Sequence, residues 1–302
     1  MKKATIVIPT YKRADRIVRA VESALAQTYK NIEVIVVDDN GKDSQCAHDT
    51  KGILQSCIDD GRIIYIQNDF NRGGSFSRNQ GLSISTGDYI TFLDDDDEID
   101  KEKVKKQIEK IESLDNSYSC VYCGYKKILG KDKVYFSSEK ASGDVYKYAL
   151  SRSLYVGSGS NLLVKTSIAR EIGGYDVEFK RNQDLEFLTR LLKNYKLAYI
   201  DEILLTVHYE IREEKRNYDD LVKIDNFYLS KFKSEIDSLD TKTQNNIHFI
   251  FALERFRYSI GNNIIDGIRN MLKNRVSLYK FIKYIIYLID RVINKKSYGF
   301  KG

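Results

Sequence analysis

Four consecutive aspartates, Asp94-Asp95-Asp96-Asp97, follow the apolar stretch "ITFL" at 90–93. Carboxylates this close repel one another unless a cation or hydrogen-bond donors compensate them. Alternate residues of an extended segment point the same way, so Asp94 and Asp96 are placed to face one pocket. Oxygen ligands on a loop, with no cysteine or histidine cluster beside them, suit Mg²⁺ or Mn²⁺, which complete their shell with substrate phosphates. A solvated acidic start to the following helix accounts for Asp97 or Asp100. It does not account for the earlier acids, which close a buried strand.

Two further groups carry chemistry. "VVDDN" ends a strand with Asp38-Asp39-Asn40, where a carboxylate can hold a ribose hydroxyl or a base N–H; the same residues also favour a plain turn. "NRGGSFSRNQG" combines Arg72 and Arg78 with two glycines. Arginine suits phosphate through its fork of donors, although the segment alone reads equally well as the start of a surface helix. After the first strand stands "PTYKRADR", with no G-x-G-x-x-G, and neither Walker A nor G-x-S-x-G occurs. Dehydrogenase, P-loop and hydrolase classes are thereby disfavoured.

The elements that must position these residues alternate. "ATIVIPT", "IEVIVVDD", "RIIYIQN" and "DYITFLDDDD" read as buried strands, with helices expected at 14–27, near 45–57 and from the "GGSFSRNQGLSISTG" segment. Apolar strands separated by helices indicate a parallel sheet with right-handed crossovers, and ligands then bind at the carboxyl ends of the strands. Thr10, Asp38, Asp39 and Asp94–Asp97 should therefore converge. Beyond 100 the pattern is mixed: helices at 101–113, near 166–172 and at 184–194, and strands near 118–136 and 197–209. After about 215 only helices are expected. The predicted organisation is a catalytic domain over 1–214, in halves 1–100 and 101–214, and a helical extension over 215–302.

Composition sets limits. The 302 residues include four cysteines, too few and too scattered for a disulfide framework. Cys120 and Cys123 are expected to pack structurally on a strand, since no second pair completes a zinc set. Met1-Lys2-Lys3 runs straight into a strand with no signal peptide, so the cytoplasm is the expected home. Residues 1–100 hold 12 Lys+Arg against 17 Asp+Glu, whereas 242–302 hold 12 against 3. An acidic front suits a cation site, and a basic tail suits a polyanionic surface.

The pieces "VIPTYKR", "ALAQTYKNIEVIVVDD", "NRGGSFSRNQGL", "GDYITFLDDDDE", "EIGGYDVEF" and "RNQDLEFLTRLL" stand in the order and rough spacing of the inverting glycosyltransferases of family 2. The chain resembles that family over residues 4 to about 195. The resemblance implies a GT-A fold: a Rossmann-like nucleotide-binding sheet, here with a helical C-terminal extension. It implies that Pro9, Thr10 and Asp39 line a nucleotide-sugar pocket, with Arg72 and Arg78 near base or phosphates. Asp94 and Asp96 become the metal-and-donor acids, with Asp95 beside them on the donor and His208 as a further ligand for Mn²⁺ or Mg²⁺. Asp184 becomes the catalytic base, although read alone it is an ordinary helix N-cap. Two departures stand out. The usual Glu-Asp is here Gln183-Asp184, and the fourth aspartate leaves open which pair grips the metal.

The expected activity is transfer of one sugar from a UDP-linked donor to a surface glycan, on a lipid-linked acceptor. A catalytically silent binding module and a nucleotidyltransferase are the rivals, and nucleic acid is not an expected partner. In the tail, Leu278, Phe281, Ile282, Ile285, Ile289 and Val292 recur at helical spacing between basic residues. The expectation is a helix lying on the inner face of an anionic membrane, with docking on its own protein or on a second subunit as the alternative.

Overall fold

A computed structural model describes residues 1–130, 133–209, 218–260 and 263–302. The chain divides into two compact units: Met1–Asp144 with Val156–Tyr209, and Val145–Tyr155 with Glu210–Gly302. The expected boundary at 214/215 lies outside the described residues.

The first unit begins with β1 (Ala4–Thr10), α1 (Ala14–Leu25), β2 (Ile32–Asp38), α2 (Gln45–Asp59), β3 (Ile64–Gln67), α3 (Gly74–Ile84) and β4 (Tyr89–Phe92). The four strands pair in parallel in the order β3-β2-β1-β4. β1 and β2 are rich in β-branched residues and almost wholly buried, as strands covered on both faces must be. α3 lies tight on β1: a Cβ added at Gly81 would stand 2.3 Å from Val7 Cγ1, so only glycine permits that approach.

Then come β5 (Glu98–Ile99), α4 (Lys103–Glu112), β6 (Tyr118–Leu129) and β7 (Lys133–Ser137). A short helix, α5 (Tyr146–Leu150), belongs to the second unit. It is followed in the first by β8 (Leu163–Lys165), α6 (Thr166–Glu171), α7 (Gln183–Leu192) and β9 (Lys196–Tyr209). β8 pairs antiparallel with β4, β6 pairs antiparallel with β8, and β9 runs parallel to β6. The sheet is thus mixed: a parallel nucleotide-binding type half continued by antiparallel strands. Cys120 and Cys123 are both buried and free in β6, which is covered on both faces along its first half.

The second unit is built of α5, α8 (Tyr218–Lys231), α9 (Lys233–Asp237), α10 (Thr241–Ser259), α11 (Ile264–Lys273) and α12 (Leu278–Ile293). One two-residue extended segment, Lys296–Ser297, departs from the all-helical expectation. A buried ionic knot ties the 145–155 segment to these helices. Asp225 accepts from Arg152 Nη1 (2.8 Å) and Arg255 Nε (2.9 Å), and Arg152 Nη2 reaches Glu254 at 3.0 Å. Phe249, Ile250, Leu253 and Tyr284 form the adjoining core, against which Phe281, Tyr287, Leu288 and Phe300 pack.

Candidate active site

The sheet order reverses between β1 and β4, and in such sheets the crevice at that point binds ligands. Pro9 helps to open it. Along β1, Val7 O accepts from Leu93 N (2.9 Å), on the β4 side, whereas Thr10 O accepts from Asp39 N (2.9 Å), on the β2 side. By alternation, residue 9 faces β4, and as proline it has no N–H to give there. The ladder stops after Leu93, and the acidic residues leave the sheet.

They form a turn closed by Asp97 N donating to Asp94 O (3.0 Å). Each carboxylate is answered from within the unit. Asp95 accepts from Thr10 Oγ1 (2.8 Å) and Arg13 Nη1 (2.8 Å), and Asp96 accepts from the same guanidinium nitrogen at 2.7 Å. Asp94 accepts from Arg78 Nη2 at 2.5 Å. Asp97, 1% exposed, accepts from Ser160 Oγ (2.6 Å), Ser158 Oγ (2.9 Å) and His208 N (3.3 Å). Arg19 reaches the Asp96 carbonyl at 2.6 Å.

Burial raises the pKa of Asp95 and of Asp96, with Arg13 opposing it in both cases. Asp97 is pushed up to about 8, by burial first and then by the Asp94 charge. Burial pulls the Arg13 guanidinium down, but Asp95 and Asp96 outweigh it and the net shift is upward. Behind the loop, Lys103 on α4 is fully buried and its Nζ has no hydrogen-bond partner, which lowers its pKa to about 8.

A second group adjoins the first. Asp184 is the second residue of α7, not its cap; that position belongs to Asn182, whose side chain makes no capping bond. Burial raises the Asp184 pKa, the Asp94 charge raises it further, and Arg78 opposes both. Arg78 also donates to Gln183 Oε1 (3.1 Å), so one arginine touches Asp94 and the residue preceding Asp184. Gly159 stands against Asp184, with an added Cβ only 3.5 Å from the Asp184 Cβ. Its neighbour Ser160 accepts from Asp94 N (3.0 Å) and donates to Asp97. Asn79 clamps the Tyr175 backbone in both directions at 2.7 Å, holding the "GGYD" turn on α3. Tyr175 stacks on Phe187 (centroids 4.4 Å) and meets Phe92 edge-on, which sets α7 beside β4.

The nucleotide-side residues divide. Asp38 accepts from Tyr65 Oη (2.5 Å) and Asn40 N (2.8 Å). Asp39 accepts from Asn68 Nδ2 (2.7 Å), Arg72 N (2.8 Å) and Gly73 N (2.7 Å), and so shapes the loop before α3. The Arg72 guanidinium lies 3.8 Å over the Phe76 ring, and only its backbone meets Asp39. The His208 imidazole lies 3.8 Å from Glu98 Oε2, and its Nε2 is buried with no hydrogen bond. Burial and Arg19 lower its pKa, favouring the neutral imidazole.

The sequence reading missed Arg13, the Ser158/Ser160 pair and the Asn79 clamp. Arg13 carried a signal, a cation three residues after Thr10. "GSGSN" at 157–161 reads only as a small-residue turn. On α7, Leu185 is only half-buried and Phe187 takes the expected core place; Glu186 is buried against Arg190.

The donor set fits a hard divalent cation in its chemistry: aspartate oxygens, plus one buried imidazole nitrogen that makes no hydrogen bond and has Glu98 near it. Among the described residues no group of three acids, cysteines and histidines is gathered into a cage, so phosphate oxygens would have to complete the shell.

Comparison with known proteins places this geometry. A profile described as "Glycosyl transferase family 2" matches residues 5–173. An uncharacterized glycosyltransferase of Rickettsia typhi, RT0329, is 34% identical over 209 residues, covering 67% of this chain and 62% of its own. The chain thus spans less than two thirds of that relative. The Escherichia coli UDP-Glc:alpha-D-GlcNAc-diphosphoundecaprenol beta-1,3-glucosyltransferase WfaP is 43% identical over 124 residues, 40% of this chain and 47% of that one. Among solved structures, Staphylococcus aureus TarS 1-349 in complex with UDP-GlcNAc superposes with a TM-score of 0.66 at 19% identity, covering 93% of this chain and 79% of that one. That likeness concerns the fold.

Proposed function

The chain belongs to glycosyl transferase family 2, and we propose that it is an inverting enzyme that moves one sugar from a UDP-linked donor to a lipid-linked glycan. The observation that carries this reading is the shared electrostatics of the donor acids and Asp184: Arg78 bonds Asp94, and both bear on the Asp184 pKa. The catalytic domain is taken as 1–214 and the helical extension as 215–302.

The acceptor hydroxyl gives its proton to Asp184 as its oxygen bonds to the anomeric carbon, while the bond from that carbon to the nucleoside diphosphate breaks on the opposite face. Burial and the Asp94 charge raise the Asp184 pKa, which strengthens it as a base. Thr10, Asp39 and the 72–73 backbone would line the nucleotide, with Pro9 shaping the crevice. Arg78, Asp94 and Asp95 would meet the sugar and diphosphate. Mn²⁺ or Mg²⁺, held by Asp96 and His208, would supply positive charge to the leaving diphosphate.

WfaP acts on a diphosphoundecaprenol-linked acceptor and TarS was solved with UDP-GlcNAc, which supports the UDP and lipid-linked assignments. Such an acceptor places the work at the inner face of the cell membrane, reached peripherally from the cytoplasm. No helix among the described residues is long and apolar enough to cross a membrane. A silent binding module would have no use for an ionisable carboxylate beside Asp94, and a nucleotidyltransferase would leave Asp184 unexplained. Purified protein, screened against UDP- and GDP-sugars with Mn²⁺ and then with excess EDTA, tests the proposal. Metal-dependent release of UDP from one donor is expected. Full activity in EDTA contradicts the metal, and pyrophosphate release from a nucleoside triphosphate and a sugar phosphate supports the rival.

A further inference from the structure

On α12 two apolar stripes run along opposite sides, and only one is covered. Phe281, Tyr284 and Leu288 turn inward to the core around Phe249 and Leu253. Leu278, Ile282, Ile286, Ile289 and Ile293, spaced by four, four, three and four residues, form the other stripe and stay in solvent, with Leu278 73% and Ile293 71% exposed. The spacing-based expectation had merged the stripes, counting Phe281 with the outer one. α11 repeats the arrangement. Ile265, Ile268 and Leu272 are exposed, and the opposite side carries buried Gly267, where a Cβ would meet Ser259 Oγ at 1.9 Å.

We infer that the outer faces of α11 and α12 form a docking surface for an anionic lipid bilayer. This rests on the lipid-linked acceptor reading and deepens it by naming the surface. Charge decides between occupants. Residues 263–302 carry nine basic side chains and two acidic ones; Lys280, Arg291 and Lys301 lie over rings of their own unit, and Lys273, Arg275, Lys283 and Lys295 stand exposed. Both acids are engaged internally, Asp266 by Arg269 (3.2 Å) and Asp290 by Lys296 (3.3 Å) and Tyr298 (2.7 Å). A second copy of this chain would bring two cationic faces together as it covered the stripes. A bilayer containing anionic lipid covers the stripes and neutralises the charge at once. The 16-residue α12 is about 24 Å long, short of the ~20 apolar residues of a spanning helix, so it lies in the interface. Tyr279, 67% exposed beside Lys283, suits the headgroup level.

The test is flotation of the full chain with vesicles of phosphatidylcholine alone or with 30 mole-percent phosphatidylglycerol, at low and high salt. The variants are Ile282→Asn/Ile286→Asn/Ile289→Asn and Lys273→Glu/Lys283→Glu/Lys295→Glu. All six positions are exposed, so circular dichroism and donor hydrolysis should match the parent. We expect the parent to float with anionic vesicles and to be released by salt. Each triple variant should lower the bound fraction at least tenfold. The inference is overturned if the parent ignores anionic vesicles at low salt, or if the isoleucine variant floats as well as the parent. It is also overturned if sedimentation shows a dimer that the isoleucine variant dissociates without lipid. Vesicle binding without turnover of any donor would instead count against the transferase reading and leave the docking surface standing.

Discussion

The acidic turn of the sheet unit and the outer stripe of α12 look equally out of place in a sequence, and the protein treats them in opposite ways. Each of Asp94–Asp97 finds a partner inside its own unit, from Arg78, Arg13, Thr10 or the Ser158/Ser160 pair. The stripe Leu278–Ile282–Ile286–Ile289–Ile293 finds none within the helical unit. Guanidinium groups can give way to a donor and its cation, so the first anomaly is compensated in a form that a ligand can replace. The second is left for something outside the unit to cover. The lesson is that an anomaly met by exchangeable partners marks a chemical site, and one left bare marks a surface.

The comparison can be broken at the chemical end first. Asp184→Asn keeps shape and removes the base, so kcat should fall by ~10²–10⁴ with the donor KM nearly unchanged. If turnover is normal, the base lies elsewhere. Glu186, the nearest substitute in sequence, is committed to Arg190.

The helical unit should depend on its ionic knot more than on its outer face. Arg152→Ala leaves the fully buried Asp225 with Arg255 alone and takes a partner from Glu254, and breaking a buried pair costs about 3–5 kcal/mol. Denaturant unfolding should show that loss. A change within 0.5 kcal/mol would mean the knot contributes nothing.

Lys103 sharpens the contrast, because it is a buried charge with no hydrogen-bonding partner. Its pKa falls to about 8, below its ordinary value near 10.4. The charged form is therefore penalised in the folded state; the penalty is full below pH 8 and fades as pH rises through 8 toward 10.4. Lys103→Met should stabilise by about 3 kcal/mol at pH 7 and by less at pH 10, read from unfolding midpoints. A gain that does not depend on pH would contradict this account.

The smallest effect is a displacement of a profile. Arg78 opposes the upward shift of Asp184, so Arg78→Gln should move the acid limb of kcat/KM to higher pH, whatever it does to the donor KM. A limb that stays in place would separate Arg78 from the base.

Much of this was legible before the fold was known. The positions of β1–β4, the convergence of Thr10 with the acid run and the helical nature of the tail follow from periodicity and strand-end chemistry, which are local, whereas β8, three residues long, was not foreseen. Partner choice was not legible. Nothing local reveals that Arg13 would bridge Asp95 and Asp96, or that Asp97 would gather Ser158, Ser160 and the His208 backbone. These are contacts across the sheet. The two stripes of α12 were merged for a related reason: spacing shows that a helix is apolar, and only packing shows which side is already covered.

A single displacement assisted by one carboxylate base inverts the anomeric centre, and the configuration of the product reports it. Proton NMR of the glycoside formed from the accepted UDP-sugar reads that configuration through the H1–H2 coupling. A configuration opposite to that of the donor is expected. Retention would contradict the single displacement.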